Sequence, residues 1–242
     1  LVRSRKQPAY LKHIGERFGF YAETPAKPII WLHTVSVGET RAAQPLVKAL
    51  RKAYPEHQIL LTHMTPTGRE TGERLFGDSV LRCYLPYDFP QAVKRFLAHF
   101  KPVSGVLLET EIWFNLIHLC KQANIPLYLV NARLSEKSAA SYSRFRSLVS
   151  TGLNELTAIA AQTESDAERL RSLGAKAVQV TGNLKFDMLP PCYALEVGRE
   201  LRSSFGARPV FLAASTRVGE EELVLQAVSS AGVPGLLSVI VP

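Results

Sequence analysis

Cysteine is scarce in this chain: Cys83, Cys120 and Cys192 are the three present in 242 residues, far apart and with no C-x-x-C pair. That spacing argues against a disulfide framework and a cysteine zinc site, and it fits a reducing, cytosolic setting. No run of about eighteen apolar residues occurs and no secretory h-region is found, so no segment reads as a spanning helix or a signal peptide. The chain opens at Leu1 rather than Met, which leaves room for an upstream anchor. Familiar chemical signatures are absent too. No G-x-G-x-x-G follows the first apolar stretch, which weighs against a dinucleotide dehydrogenase, and there is no G-K-[ST] phosphate loop. The six histidines show neither H-E-x-x-H nor close pairing, so no metal ligands are assigned. His33 and His63 fall inside apolar stretches and read as packed core residues. No internal repeat of fixed period and no low-complexity tract is present.

What is there is a globular composition. With 46% hydrophobic residues, the chain can bury one large core or two modest ones. An excess of 29 Lys and Arg over 21 Asp and Glu, a formal charge of +8, favours an anionic partner: nucleic acid, a phosphorylated substrate or a membrane surface. Charge alone does not choose among them. Residues 1–21 interleave Arg3, Arg5, Lys6, Lys12, His13 and Arg17 with Tyr10, Leu11, Ile14, Phe18, Phe20 and Tyr21. Two readings fit, a segment lying on an anionic membrane or a solvated helix packed on the domain.

The chain is organised around Ile29-Ile30-Trp31-Leu32-His33-Thr34-Val35-Ser36-Val37-Gly38-Glu39. An apolar, branched run breaks at Ser-Val-Gly, and an amphipathic pattern from Thr40 to Tyr54 follows, which reads as strand, turn and helix. Further strands are expected at Gln58–Met64, Leu81–Pro86, Val103–Glu109, Pro126–Arg133, Leu156–Gln162 and Ala177–Gly182. Helices between them include Phe89–Phe100, Ile112–Ala123, Ser135–Leu153 and Glu164–Leu173, with Thr163 and Ser165 as candidate caps of the last. Regular alternation calls for parallel strands and right-handed crossovers, hence a doubly wound, Rossmann-like domain. Residues 186–195, with Pro190-Pro191, read as a domain crossing. The β-α-β piece beyond has too small a core to stand alone, so the second lobe is expected to continue past Pro242.

Polar groups gather at the expected strand ends: Glu39 after the first, Thr65-Pro66-Thr67-Gly68 after the second, Glu109-Thr110-Glu111 after the fourth. Asn131-Ala132-Arg133 follows the fifth and Gly182-Asn183-Leu184-Lys185 the seventh. In a parallel sheet these ends converge on one edge, where open α/β sheets build their sites. Glu39 there is either a helix-start residue favoured by the helix dipole or a working carboxylate. Glu109 and Glu111 share a face if the strand continues, and the preceding apolar Val106-Leu107-Leu108 favours a raised pKa suited to proton transfer. Glu111 also reads as the cap of a helix starting at Ile112. Lys185 and Arg133 bring positive charge for a substrate carboxylate or phosphate, or stand as surface charges.

Ser36-Val37-Gly38-Glu39, Met64-Thr65-Pro66-Thr67-Gly68, Tyr84-Leu85-Pro86-Tyr87-Asp88, Glu109-Thr110-Glu111-Ile112-Trp113, Asn131-Ala132-Arg133-Leu134-Ser135 and Thr181-Gly182-Asn183-Leu184-Lys185-Phe186-Asp187 resemble, in order and spacing, the Kdo (3-deoxy-D-manno-octulosonic acid) transferases. These attach Kdo to the lipid A precursor of Gram-negative bacteria, and the resemblance runs over nearly the whole chain. It implies an α/β, GT-B glycosyltransferase: a basic membrane-proximal segment at 1–21, a Rossmann-like acceptor-binding lobe at 22–189, and at 190–242 the incomplete start of a nucleotide-sugar lobe. It further implies inverting transfer from CMP-Kdo to lipid IVA without metal or other cofactor, at the cytoplasmic face of the inner membrane, with the anionic membrane surface and not nucleic acid as a partner. By the match, Glu39 falls on the general base, and Glu109 and Lys185 on positions that stabilise the transition state. Ser36, Gly38, Thr65, Thr67, Gly68, Glu111, Asn131, Arg133 and Asn183 lie in the same motifs and are expected to bind substrate. The chain departs from the family pattern in keeping only the basic downstream part of the usual hydrophobic or amphipathic anchor, in carrying Arg217 where His is common, and in ending before the expected CMP-binding segments. It is therefore expected to be inactive alone. A non-catalytic lobe binding anionic lipid or protein, and a carbohydrate hydrolase using Glu39 and Glu109, are the alternative functions.

Overall fold

The computed structural model describes residues 8–188 and 192–242, and the chain divides after Met188 into two compact units. The first is built on seven parallel strands: β1 (Ile29–His33), β2 (Gln58–His63), β3 (Leu81–Tyr84), β4 (Ser104–Leu108), β5 (Leu127–Ala132), β6 (Ala158–Ala161) and β7 (Val178–Val180). They lie side by side in the order β3-β2-β1-β4-β5-β6-β7. The chain thus builds outward from β1 in one direction, then returns across it to build in the other. All strands are parallel, with β1 in register between β2 and β4: Trp31 stands opposite Leu60 and Gly105.

Every residue of β1 is buried, which accounts for an apolar run without alternation, as expected of a central strand covered on both faces. Successive side chains serve opposite cores. Ile29 and Trp31 join Phe96, Leu107 and Leu129 in one cluster, while Ile30 and Leu32 join Val47, Ile59 and Val106 in the other. Gly105 sits under the Trp31 indole, where a Cβ would fall 2.6 Å from a ring carbon.

The helices covering the sheet are α1 (Val37–Ala42), α2 (Gln44–Ala53), α3 (Pro66–Phe76), α4 (Pro90–Phe100), α5 (Phe114–Gln122), α6 (Glu136–Ser143), α7 (Arg146–Glu155) and α8 (Glu164–Ser172). Two expected single helices are each a pair. The first begins at Val37 rather than Thr40 and breaks at Ala43, because Pro45 has no N–H to reach back to Arg41; the Gln44 amide donates to that carbonyl instead, at 3.2 Å. The stretch 135–153 breaks at Arg144–Phe145, where Phe145 turns to solvent and α7 packs against α5. Thr163 caps α8 as expected, accepting from the Asp166 N–H at 3.2 Å.

Across residues 8–21 the basic N-terminal segment packs on the domain, but not as one regular helix. It forms two 3-10 turns, Pro8–Leu11 and Ile14–Phe18. Arg17 is 2% exposed, donates to the Met64 carbonyl at 3.0 Å and stacks 4.2 Å from the Tyr84 ring centre. Glu16 accepts from the Arg69 guanidinium at 2.6 Å and from the Tyr84 N–H at 2.7 Å, and Tyr21 packs edge-on to Phe96 and Phe100. Arg3, Arg5 and Lys6 lie outside the described residues, as do Pro190 and Pro191.

The second unit holds α9 (Cys192–Ser204), β8 (Val210–Ala214), α10 (Glu220–Ala231) and β9 (Leu237–Val241), with β8 and β9 parallel. No helix among the described residues is long and apolar enough to cross a membrane.

Candidate functional site

In an open α/β sheet, ligands bind beyond the carboxyl ends of strands where the strand order reverses. Here that point lies between β1 and β4, and the chain places Glu39 just after one and Glu109 just after the other.

Glu39 is the third residue of α1, and Ser36 is the cap before it. Ser36 Oγ accepts from the Glu39 N–H at 3.3 Å and donates to Glu39 Oε1 at 2.9 Å, while Val35 N–H donates to Oε2 at 2.8 Å. This is a reciprocal capping arrangement of Ser and Glu three apart, shifted by one residue on the backbone side. The carboxyl is buried, 7% exposed, and burial pushes its pKa up from 4.5 to about 7. The two hydrogen bonds work against that rise, and the charges of Glu109 and Glu111 add to it. Each oxygen keeps a lone pair beyond the bond it accepts. The side chain is thus a structural cap and a group that titrates near neutrality at once. Below it lies a buried polar layer: Thr34 Oγ1 meets Thr40 Oγ1 at 3.1 Å and His63 Nδ1 at 3.0 Å, and Thr40 donates to the Ser36 carbonyl at 2.8 Å.

His33 and His63 are fully buried core residues, as their sequence setting implies. Each directs Nδ1 at a backbone carbonyl, Thr62 and Thr34 respectively, at 3.1 Å, which makes Nδ1 the protonated nitrogen. Burial holds their pKa values down, to about 3 and about 4, and neither Nε2 has a partner.

The β4 side differs from the expectation. The strand stops at Leu108, and Glu109 adopts φ 60°, so Glu109 and Glu111 do not continue a strand face. Left-handed backbone is unusual for Glu, and such outliers gather where function holds them. Glu111 does not cap a helix. Its carboxylate accepts from the Trp113 indole N–H at 2.7 Å, and burial raises its pKa, with Glu109 adding. Helix α5 starts later, at Phe114, and its first N–H groups are capped from a distance: Asp88 accepts from Asn115 N–H at 3.0 Å and Leu116 N–H at 2.8 Å.

The remaining motif residues divide by role. Thr65 caps α3, accepting from Gly68 N–H at 3.1 Å, and donates to the Val35 carbonyl at 2.9 Å. It ties the end of β2 to the turn carrying Glu39. Gly68 is buried, and a Cβ there would crowd Thr65 Oγ1 at 2.9 Å and the Val35 carbonyl at 3.1 Å. Gly38 and Thr67 are exposed, and a Cβ on Gly38 would meet only Ser36 Oγ within 4 Å, at 3.8 Å. Arg133 and Lys185 are exposed as well. Asn131 is buried, left-handed at φ 56° and forms the extra residue of a bulge between β5 and β6. Asn183 sits at the turn after β7, half-buried. Ser36, Thr65 and Gly68 are therefore engaged in holding the site's backbone, whereas Gly38, Thr67, Arg133 and Lys185 face outward. Reading the sequence missed Trp113, Asp88 and Gln162; Trp113 and Asp88 stand inside quoted motifs and so left a visible signal, whereas Gln162 left none.

Residues 12–188 match the family model described as 3-deoxy-D-manno-octulosonic-acid transferase (kdotransferase). A 3-deoxy-D-manno-octulosonic acid transferase of Haemophilus influenzae is 39% identical over 246 residues, covering 99% of this chain and 58% of its own length. One of Bordetella pertussis is 43% identical over 220 residues, covering 88% and 50%. The chain spans about half the length of these curated relatives. Among solved structures, a UDP-GlcNAc 2-epimerase of Neisseria meningitidis bound to UDP-GlcNAc superposes with a TM-score of 0.57 at 19% identity, over 88% of this chain and 64% of that one. That likeness concerns the fold, which is GT-B. The match over residues 12–188, most of the first unit, makes this chain a member of the 3-deoxy-D-manno-octulosonic acid transferase family.

Proposed function

We propose that this chain is the acceptor-side part of an inverting glycosyltransferase that moves Kdo from CMP-Kdo to lipid IVA, with Glu39 as general base. The observation that carries this is the buried Glu39 carboxyl beside the β1–β4 reversal, with its pKa raised to about 7. A base poised near working pH is both largely available and strong enough to take a hydroxyl proton, a contribution of about a hundredfold to ten-thousandfold.

In the step, the acceptor hydroxyl oxygen forms a bond to the Kdo anomeric carbon as its proton passes to Glu39. The bond from that carbon to the CMP phosphate breaks, and its electron pair leaves with CMP. Positive charge grows on the sugar as the leaving group departs, and the Glu109 carboxylate offsets it. The Lys185 ammonium offsets negative charge on the phosphate or the Kdo carboxylate. Gly38 leaves open space above the first turn of α1 for the acceptor.

Replacing Glu39 by Gln in the full-length protein tests the base. Transfer from CMP-Kdo to lipid IVA is expected to fall by at least about a hundredfold, with stability retained. Wild-type turnover would sink the assignment.

Attachment to the cytoplasmic face of the inner membrane belongs to the same proposal. Leu11, Ile14, Phe18, Phe20 and Phe89 are large apolar side chains exposed near Lys12 and Arg95, and Arg95 lies 4.5 Å from the Phe20 ring centre. Apolar side chains among cations suit an anionic bilayer surface. Binding to anionic vesicles is expected to weaken in Phe18→Ser/Phe20→Ser and to be absent with neutral vesicles, measured by co-sedimentation.

A further inference from the structure

The turn that carries Lys185 is held by groups that have no place in the proposed chemistry. Three successive strand ends supply them. Asn131 at the end of β5 accepts from the Leu184 N–H through Oδ1 at 3.1 Å. The Gln162 amide, just past β6, donates to the Asn131 carbonyl at 2.9 Å and accepts from Asn183 Nδ2 at 3.0 Å. Asn183, after β7, closes the series by accepting from the Lys185 N–H at 3.0 Å.

We propose that Asn131, Gln162 and Asn183 form an amide relay across the ends of β5, β6 and β7 that sets where Lys185 is presented, with Gln162 as a positioning residue. The inference rests on the role assigned to Lys185 above.

Three observations favour positioning over ordinary loop packing. First, the relay is kept at a cost: Asn131 is left-handed inside a strand, and its buried Nδ2 has no partner, each of which works against stability. Second, Asn131 grips the backbone N–H of Leu184 from outside the turn, and Gln162 holds the Asn183 side chain that in turn caps the Lys185 N–H, while the Lys185 ammonium makes no hydrogen bond or ion pair among the described residues. The backbone is aimed and the charge is left free, as a group awaiting an anion requires. Third, the neighbours of the turn support the same placement. Gly182 takes φ +87°, which lets the chain reverse so that Asn183 meets Gln162. Leu184 packs onto the core cluster of Ile30, Leu32 and Val106, and the turn lies against α2, on the side of the molecule that follows Glu39.

The test uses full-length protein with Gln162→Leu, Gln162→Glu, Lys185→Ala and the Leu/Ala double variant. Transfer kinetics are measured together with hydrogen exchange of a peptide spanning residues 181–188. The relay requires Gln162→Leu to speed exchange in that peptide and to lower kcat on the order of ten- to a hundredfold, with little change in acceptor KM. Gln162→Glu keeps the acceptor for Asn183 but loses the donor to Asn131, so its effect should fall between. In the Lys185→Ala background Gln162→Leu should cost nothing further in kcat. Unchanged exchange in Gln162→Leu, or kcat losses that multiply in the double variant, would overturn the relay. A Lys185→Ala protein that transfers at the wild-type rate would instead overturn the role given to Lys185, and exchange would still decide whether Gln162 holds the turn.

Discussion

Glu39 shows how one side chain serves two ends. Its N–H and both oxygens complete the cap of α1, yet burial leaves the carboxyl titrating at about 7. If it is the base, kcat/KM should rise with pH through a midpoint near 7, because the ionised form is the active one. Ser36→Ala removes a hydrogen bond that favours the carboxylate, so the same limb should move to higher pH. Loss of the cap should also lower stability by about 1 kcal/mol. A limb that stays in place in Ser36→Ala would show that Ser36 does not tune this group. The sequence offered both readings of Glu39 as rivals; in the structure they are compatible, since the capping carboxylate is also buried and its pKa is raised to about 7.

At the scale of elements, the helices were legible from periodicity, and the start of α8 from its Thr163 cap, but the breaks and the start of α5 were not. Glu111 looked like a cap because it precedes an apolar run, but a helix start is satisfied by whichever acceptor reaches it. Here the acceptor is Asp88, 27 residues before Asn115 in sequence. Asp88→Ala should therefore lower stability by about 0.5–2 kcal/mol, read as a shift in urea midpoint, whereas Glu111→Ala should not uncap α5. Equal losses in the two variants would contradict this assignment. The break before Arg146 had no Pro or Gly to announce it, so a continuous apolar pattern passed for one helix.

Over the whole molecule, stability should carry an imprint of the buried histidines. His33 and His63 are neutral in the fold, with pKa values held to about 3 and 4 against 6.5 when exposed. The unfolded chain thus binds more protons at these two residues, and their contribution, complete above pH 6.5, is lost as pH falls toward 4 and 3. Glu39 runs the other way: its folded value of about 7 lies above 4.5, so its contribution is present in acid and lost as pH rises through 7. Between pH 4.5 and 6.5 two protons favour the unfolded chain and one the folded, a net rise of at most about 1.4 kcal/mol per pH unit from these groups. Glu39→Gln removes the opposing proton, so urea midpoints across that window should climb more steeply in the variant. Parallel slopes would place the Glu39 titration elsewhere.

Sequence alone determined the alternating α/β pattern, the burial of the first strand and the family, because hydrophobic period and motif order are local properties written residue by residue. It also located the strand ends where polar groups gather. Tertiary structure decided what those groups touch. The reversal between β1 and β4 brings Glu39 into the field of Glu109 and Glu111, and the bulge at Asn131 lets β5, β6 and β7 share one amide network. Those contacts join residues tens of positions apart, and hydrogen bonding and desolvation act through space, where no spacing rule along the chain can read them.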